Sequence, residues 1–232
     1  LFNNKKKLLN KKILNTNNLK KKNISKNLRF INSHHKKIDK VLFSSVVPNV
    51  FENIKRFIKK NLRKEIKELK QVNLNKILKV DVNMKQVGSD RLANALSVIN
   101  GKDNFIILDF GTATTFDVVL KNRYKGGIIA PGVNLSLRTL VEKAKLIPDT
   151  KLTKIKNIVG KNTQSAIRSG FYWGYQGLIE NIINLIKKKN KKNFKIIFTG
   201  GLSHLYKDVL KNKIKVDRDL TIKGLLRLIN LI

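Results

Sequence analysis

The chain has 232 residues, and its 50 Lys and Arg against 15 Asp and Glu give a formal net charge of +35. This length accommodates one large domain or two small ones, and a hydrophobic fraction of 41% excludes disorder of the whole chain. The absence of cysteine excludes disulfide scaffolds, cysteine nucleophiles and thiolate zinc sites. The three histidines, His34, His35 and His204, are too few for a His-rich metal site.

The first 40 residues are rich in Asn and Lys, and their apolar pairs Leu8-Leu9 and Ile13-Leu14 are compatible with a hairpin. The apolar run from Val41 to Val47 predicts a buried strand that is stopped by Pro48. Apolar residues at helical spacing from Phe51 to Leu69 then predict a helix.

Strands and helices alternate in the second part of the chain, which predicts an α/β fold. The expected elements, in order, are a helix that begins in the turn 88–90, strands at 105–108, 118–120 and 124–129, a helix from near Asn134 or Ser136, a long helix over 163–186, an exposed loop at 187–193, a strand at 194–198, and helices over 202–210 and 220–232.

The positive charge is spread along the chain, in runs where Lys alternates with Asn and Ile, such as 5–18, 20–27 and 187–193. An AT-rich coding sequence produces this pattern without selection for a ligand. The alternative is binding to nucleic acid or an anionic membrane, because such a field attracts polyanions at low salt. Recognisable nucleic-acid modules and interleaved aromatic residues are missing, so we expect nonspecific attraction and no specific nucleic-acid binding.

We also expect a cytoplasmic protein without membrane contact. No apolar run approaches the roughly 20 residues that span a bilayer. No short apolar region with a small-residue cleavage site follows the basic start.

The turn after the predicted strand 105–108 is the most informative stretch for chemistry. Gly111 lacks a Cβ and Thr112 supplies a hydroxyl donor, so the turn could approach phosphate oxygens closely. Asp109, placed where the apolar strand stops, could ligate a cation. The alternative is an ordinary turn with Asp as a local acceptor. No Walker A or Gly-x-Gly-x-x-Gly pattern occurs.

Three other stretches combine polar residues with predicted helix starts. Asp90 and Arg91 could act as a general base and an anion clamp, or as a helix cap and a solvent-facing cation. Thr163 could cap the long helix or contact a ligand. The turn Gly200-Gly201 could lie against a nucleotide. Glycines 170, 174 and 177 favour close helix packing over ligand contact.

Taken together, six stretches resemble type III pantothenate kinase over about residues 38–230. They are Ser-Ser-Val-Val-Pro at 44–48, Val-Gly-Ser-Asp-Arg-Leu-Ala-Asn-Ala at 87–95, Asp-Phe-Gly-Thr-Ala-Thr-Thr-Phe-Asp at 109–117, Gly-Gly-Ile-Ile-Ala-Pro-Gly at 126–132, Gly-Lys-Asn-Thr at 160–163 and Thr-Gly-Gly at 199–201. The run at 109–115 with the downstream Gly-Gly-x-Ile-x-Pro-Gly is the most specific part.

The resemblance implies two ribonuclease-H-like lobes of the acetokinase, sugar kinase, Hsp70 and actin superfamily, here residues 1–100 and 101–232, with the first lobe truncated at its N-terminus. It also implies transfer of the γ-phosphoryl of ATP to the 4′-hydroxyl of pantothenate, the first step of coenzyme A synthesis. The expected cofactors are a monovalent cation, K⁺ or NH₄⁺, besides Mg²⁺ with ATP. A homodimer is the expected assembly.

Carried over by position, the resemblance implies a role for each matching residue. Asp90 would accept the proton of the pantothenate hydroxyl. The other implied roles are pantothenate binding by Gly88, Ser89, Asp90, Arg91 and Thr163, ATP binding by Gly111, Thr112, Gly200 and Gly201, and K⁺ ligation by Asp109.

The chain departs from the family pattern in two places. The Asp-x-Gly-Asn-Thr phosphate loop that opens the family does not occur before Ser44. We therefore expect that about a dozen residues precede Leu1, and that without them the chain is inactive and folds poorly. Many members also carry Tyr-Asp-Asn-Pro-x-Glu where residues 81–86 read Asp-Val-Asn-Met-Lys-Gln. The expected aromatic contact to pantothenate is therefore absent.

Two alternatives to the kinase remain at this point. One is a non-catalytic regulatory relative, since the Bvg accessory factor group shares this pattern, although Asp90, Asp109 and Thr112 are intact. The other is a nonspecific polyanion-binding protein, whose binding would weaken steeply with salt.

Overall fold

The computed structural model of the chain describes residues 1–3, 5–12, 24–34, 37–144, 146–208 and 214–231. The chain divides into two compact units. The first contains residues 1–77, 83–97 and 221–232, and the second contains 78–82 and 98–220. The chain crosses from one unit to the other after Ile77, Val82, Ser97 and Leu220. The domain boundary expected at residue 100 lies near the crossing after Ser97.

Most elements of the first unit are helical. The elements of this unit are α1 (Ile24–Asn32), β1 (Val41–Phe43), α2 (Pro48–Leu62), β2 (Ile66–Glu68), the 3₁₀ helices Leu69–Gln71 and Leu74–Lys76, α3 (Ser89–Val98), and α6 (Leu220–Leu228) with the 3₁₀ helix Ile229–Leu231. Strands β1 and β2 pair in parallel. Their neighbouring core gathers apolar residues of α1, α2 and β2, namely Ile24, Leu28, Ile54, Phe57, Ile58, Leu62 and Ile66.

Several sequence predictions in this unit are wrong. Strand β1 ends at Phe43, and Val46 is 60% exposed, so the run 41–47 is not one buried strand. Pro48 opens α2, because a residue in the first turn of a helix needs no N–H partner. Helix α2 ends at Leu62, since Arg63 adopts a left-handed conformation with φ of 51°.

The predicted N-terminal hairpin falls only partly within the described residues. Leu8 pairs with Phe2 in an isolated antiparallel bridge. The other predicted pair, Ile13-Leu14, lies outside the described residues. Helix α1 was not predicted, although Ile24 and Leu28 have helical spacing and are buried. The density of Asn and Lys around them obscured that pattern.

The second unit is built on a six-stranded sheet with the order β3-β6-β5-β4-β7-β8. The strands are β3 (Lys79–Val80), β4 (Asn104–Phe110), β5 (Ala113–Leu120), β6 (Arg123–Pro131), β7 (Lys195–Gly200) and β8 (Ile214–Val216), and the helices are α4 (Val133–Lys143) and α5 (Thr163–Asn190). Strand β5 is antiparallel to β4 and β6, while β7 is parallel to β4 and β8. This strand–turn–strand hairpin from β4 to β5 confirms the prediction.

The pleat of β4 sends alternate side chains to opposite faces of the sheet, and both faces are apolar from Phe105 until Asp109. Alternate residues Ile106, Leu108 and Phe110 join the core that also contains Tyr172, Ile179 and Ile183 of α5. Asp109, one position out of phase, is in register with Thr115 of β5 and Thr199 of β7. Since side chains alternate between the two faces of a strand, the sheet collects polar residues at the end where β4 stops.

Corrections are also needed in the second unit. Helix α4 begins at Val133, within one residue of the predicted start near Asn134. Helix α5 continues to Asn190, so most of the predicted loop 187–193 is helical, and Lys191 ends the helix with φ of 49°. Residues 202–208 form turns where a helix was predicted. Strands β3 and β8 were not predicted.

Within the described residues, the helices are too short or too polar to cross a membrane.

Candidate active site

Asp90 lies in the first turn of α3, as the second residue of that helix. Its Oδ1 accepts a hydrogen bond of 2.8 Å from the backbone N–H of Arg91, and the side chain remains partly exposed. This local contact replaces the capping geometry that was one alternative for Asp90. The helix dipole also favours a carboxylate at this end of the helix.

Gly88 lies directly against the Asp90 carboxylate, where a larger residue would not fit. A Cβ added at Gly88 would lie 2.4 Å from Asp90 Oδ1 and 3.3 Å from Val46 Cγ1. Any side chain there would therefore displace Asp90 or the loop after β1. The close approach also brings the Ser-Ser-Val-Val-Pro stretch beside the Gly88–Arg91 turn. Ser44 lies in that stretch, and its buried hydroxyl has no hydrogen-bond partner among the described residues.

Ser89 is 3% exposed and its hydroxyl donates to Glu68 Oε1. The other oxygen of Glu68 accepts from the backbone N–H of Lys70 at 2.7 Å. The Ser89 hydroxyl is thus engaged inside the first unit, which leaves the backbone of Ser89 for any ligand contact. Sequence reasoning missed Glu68, because residue 68 lay inside a predicted helix far from the motif.

In the second unit, Asp109 and Gly200 approach closely at the ends of neighbouring strands. A Cβ at Gly200 would lie 2.6 Å from Asp109 Oδ1, 2.6 Å from Phe110 N and 2.7 Å from Phe110 O, and Gly200 has φ of +85°. The next residue, Gly201, donates its backbone N–H to Phe110 O at 3.1 Å. The turn after β7 is therefore closed against the end of β4.

The turn between β4 and β5 presents Gly111 and Thr112 to solvent. Gly111 donates its N–H to Ala113 O at 3.0 Å, and Gly132 donates its N–H to Thr112 O at 3.1 Å. Gly132, the residue before α4, thus holds this turn through a backbone hydrogen bond. Asp109, Gly111, Thr112, Gly200 and Gly201 all belong to the ends of β4 and β7 or to the turns that follow them, so the second unit brings its predicted ATP- and cation-binding residues to one edge of the sheet.

Thr163 is the first residue of α5 and is exposed. The capping alternative for Thr163 is wrong, because Asn162 Oδ1 accepts from the N–H of Ser165 at 2.9 Å and Ser165 Oγ accepts in return from the N–H of Asn162. The threonine hydroxyl is therefore placed beside an anchored helix start without capping it.

The glycines of α5 do not pack within the described chain. An added Cβ at Gly170, Gly174 or Gly177 would meet nothing within 4 Å. The prediction of close helix packing is therefore wrong for the contacts inside the chain, and the three glycines form an exposed stripe.

The described residues contain no group of three or more His, Asp or Glu side chains that could hold a metal ion. At the end of β4, Asp109 offers a single carboxylate, and its Oδ1 lies 2.6 Å from the position that a Gly200 Cβ would occupy. Carboxylate oxygens are ligands of hard cations.

Comparison with known proteins agrees with the resemblance seen in the sequence. A family model described as type III pantothenate kinase matches residues 1–185. A type III pantothenate kinase from Pelagibacter ubique (strain HTCC1062) is 55% identical over 232 residues, which cover 100% of this chain and 94% of that relative. One from Sulfurihydrogenibium sp. (strain YO3AOP1) is 41% identical over 206 residues, or 88% of this chain and 81% of that relative.

A solved structure supports the fold. It is a crystal structure from Campylobacter jejuni, described as that of a candidate Baf-family transcriptional activator, with a TM-score of 0.58 at 19% identity over 86% of this chain and 87% of that one. At this identity the likeness shows the fold alone, so it does not extend a regulatory role to this chain. The α/β class predicted from the sequence is confirmed.

Proposed function

The chain belongs to the type III pantothenate kinase family, and from that membership we propose how its residues carry out ATP-dependent phosphorylation of the pantothenate 4′-hydroxyl. The observation that carries the activity is the 55% identity over the whole chain to a relative of that name. The non-catalytic and polyanion-binding alternatives have no comparable support.

Asp90 is the proposed proton acceptor. As the pantothenate hydroxyl oxygen attacks the γ-phosphorus of ATP, its proton passes to the Asp90 carboxylate and ADP leaves with the electron pair of the broken bond. The partly exposed carboxylate at the start of α3 supports this role. Arg91 and the backbone of Gly88 and Ser89 would bind pantothenate from the same turn, and the exposed hydroxyl of Thr163 would contact it from the start of α5.

The exposed turn Gly111-Thr112 is the proposed phosphate-binding loop for ATP, which enters as its magnesium complex. The turn Gly200-Gly201 would lie near the adenosine. Phosphoryl transfer demands chiefly positioning and charge stabilisation, and backbone amides with one hydroxyl supply both at this sheet edge. We expect the protein to work in the cytoplasm, where ATP is supplied.

A monovalent cation, K⁺ or NH₄⁺, is proposed at Asp109. The carboxylate of Asp109, at the end of β4 before the exposed turn, supports this site, because carboxylate oxygens ligate hard cations. When bound, the cation would add positive charge beside the phosphate loop.

The function is tested by assaying pantothenate phosphorylation with the full-length gene product and either K⁺ or Na⁺ as the only monovalent cation. We expect turnover with K⁺ and little with Na⁺, and we expect Asp109→Asn to weaken the response to K⁺. No turnover in either salt from a folded protein would overturn the kinase. Equal turnover in both salts would overturn only the cation site.

A homodimer is proposed from the exposed apolar surface of the second unit. Ile129, Ile158 and Val159 are 64%, 69% and 77% exposed, and exposed apolar side chains of this kind are buried when two copies of a chain associate. We expect sedimentation equilibrium at micromolar concentration to give twice the mass of the chain. A monomer at that concentration would contradict the dimer.

A further inference from the structure

Two contacts tie one short stretch of the first unit to the segment that leads into Asp90. Ser89 Oγ donates to Glu68 Oε1, and Lys70 Nζ donates to Lys85 O at 3.2 Å. Glu68 ends β2 and Lys70 lies in the 3₁₀ helix that follows. Their partners stand on either side of Gly88. The Gly88 turn is therefore held at both ends by the same stretch of chain.

Glu68 is itself fixed. Its Oε2 accepts from the N–H of Lys70 at 2.7 Å, and its own backbone N–H donates to Gln71 Oε1 at 2.9 Å. These reciprocal bonds form a capping box at the start of the 3₁₀ helix, and Leu69 beside it is fully buried. Because the carboxylate is anchored, the charge-assisted bond from Ser89 ends on a rigid acceptor.

Ser89 is the residue immediately before Asp90. We propose that Glu68 is a positioning residue for phosphoryl transfer, which fixes the first turn of α3 through Ser89 and so aims the Asp90 carboxylate at the pantothenate hydroxyl. The proposal rests on the proposed role of Asp90 as proton acceptor. It requires no contact between Glu68 and either substrate.

A positioning role and a purely structural one predict different kinetics. Misplacement of a catalytic group by about 1 Å costs on the order of 100-fold in rate, so we expect Glu68→Ala and Ser89→Ala each to lower kcat by about 10- to 100-fold. The KM for ATP should stay unchanged, because the proposed ATP loop belongs to the second unit. The double variant should lose no more than either single one, since both remove the same contact.

Two further variants make the test specific. Ser89→Thr keeps the hydroxyl donor and should lower kcat by a smaller factor than Ser89→Ala does. Asn73→Ala is the matched control, because Asn73 Oδ1 caps the adjacent 3₁₀ helix through the N–H of Asn75. Its loss should lower stability with little change in kcat. If Glu68→Ala does not fold, Glu68→Gln keeps the size and one acceptor oxygen, and its kcat should fall by a smaller factor.

The outcomes separate this proposal from the function it rests on. Wild-type kcat in folded Glu68→Ala and Ser89→Ala, beside a strong loss in Asp90→Asn, would overturn the positioning role alone. Full turnover in Asp90→Asn would overturn the proton acceptor and the positioning role together. A kcat loss as large in Asn73→Ala as in Ser89→Ala would also overturn the proposal, because general loosening of the region would then explain both.

Discussion

Replacing Asp90 with Asn is expected to lower kcat for pantothenate phosphorylation by about 100- to 10,000-fold, the usual contribution of a general base. The amide has nearly the size of the carboxylate but cannot take up the proton of the hydroxyl. Its Oδ1 can still accept from the Arg91 N–H, the contact that holds the wild-type side chain. The fold should therefore persist, and the loss should fall on kcat, measured with both substrates saturating.

A second carboxylate provides the control. Asp103 lies on the second unit and accepts from Asn100 and Lys195, contacts that hold the pKa of Asp103 below its usual value. Asp103→Asn removes the same charge at the surface, so kcat should stay near wild type. If the kcat of Asp90→Asn equals that of Asp103→Asn, Asp90 is not the proton acceptor.

The sequence was most informative where function and local structure depend on the same few neighbouring residues. The Gly88–Asp90 turn was predicted because glycine, a carboxylate and a helix start follow one another directly, and the structure shows the steric reason for the glycine. The hairpin from β4 to β5 was predicted because its apolar residues form two short runs around a polar turn.

Features that depend on distant partners were missed. Glu68 could not be found, since the hydroxyl it accepts from lies 21 positions along the chain. Strand β3 has two residues and exists only because β6 pairs with it. Apolar spacing alone continued α2 to Leu69, because a single left-handed residue, Arg63, leaves no trace in that pattern. The positive charge likewise gave no guide to the site, whose named groups, apart from Arg91, are carboxylates, hydroxyls and glycines.

Gly200→Ala is expected to lower the free energy of unfolding by about 2–4 kcal/mol, a large effect for one methyl group. Its φ of +85° disfavours any L-residue, and the new Cβ would lie within 2.7 Å of the backbone N and O of Phe110. These atoms belong to β4, which is paired on both sides and cannot move aside easily. Denaturant titration measures the change, and a weakened response to K⁺ should accompany it, because Asp109 Oδ1 is also crowded.

The adjacent glycine offers a matched comparison. A Cβ at Gly201 would meet nothing within 4 Å, and Ala there keeps the N–H that donates to Phe110 O. Gly201→Ala should change the unfolding free energy by less than about 0.5 kcal/mol, yet raise the KM for ATP if adenosine lies against this turn. Equal destabilisation by both variants would refute the crowding argument, whereas an unchanged KM in Gly201→Ala would move the adenosine away from Gly201 and leave the crowding at Gly200 intact.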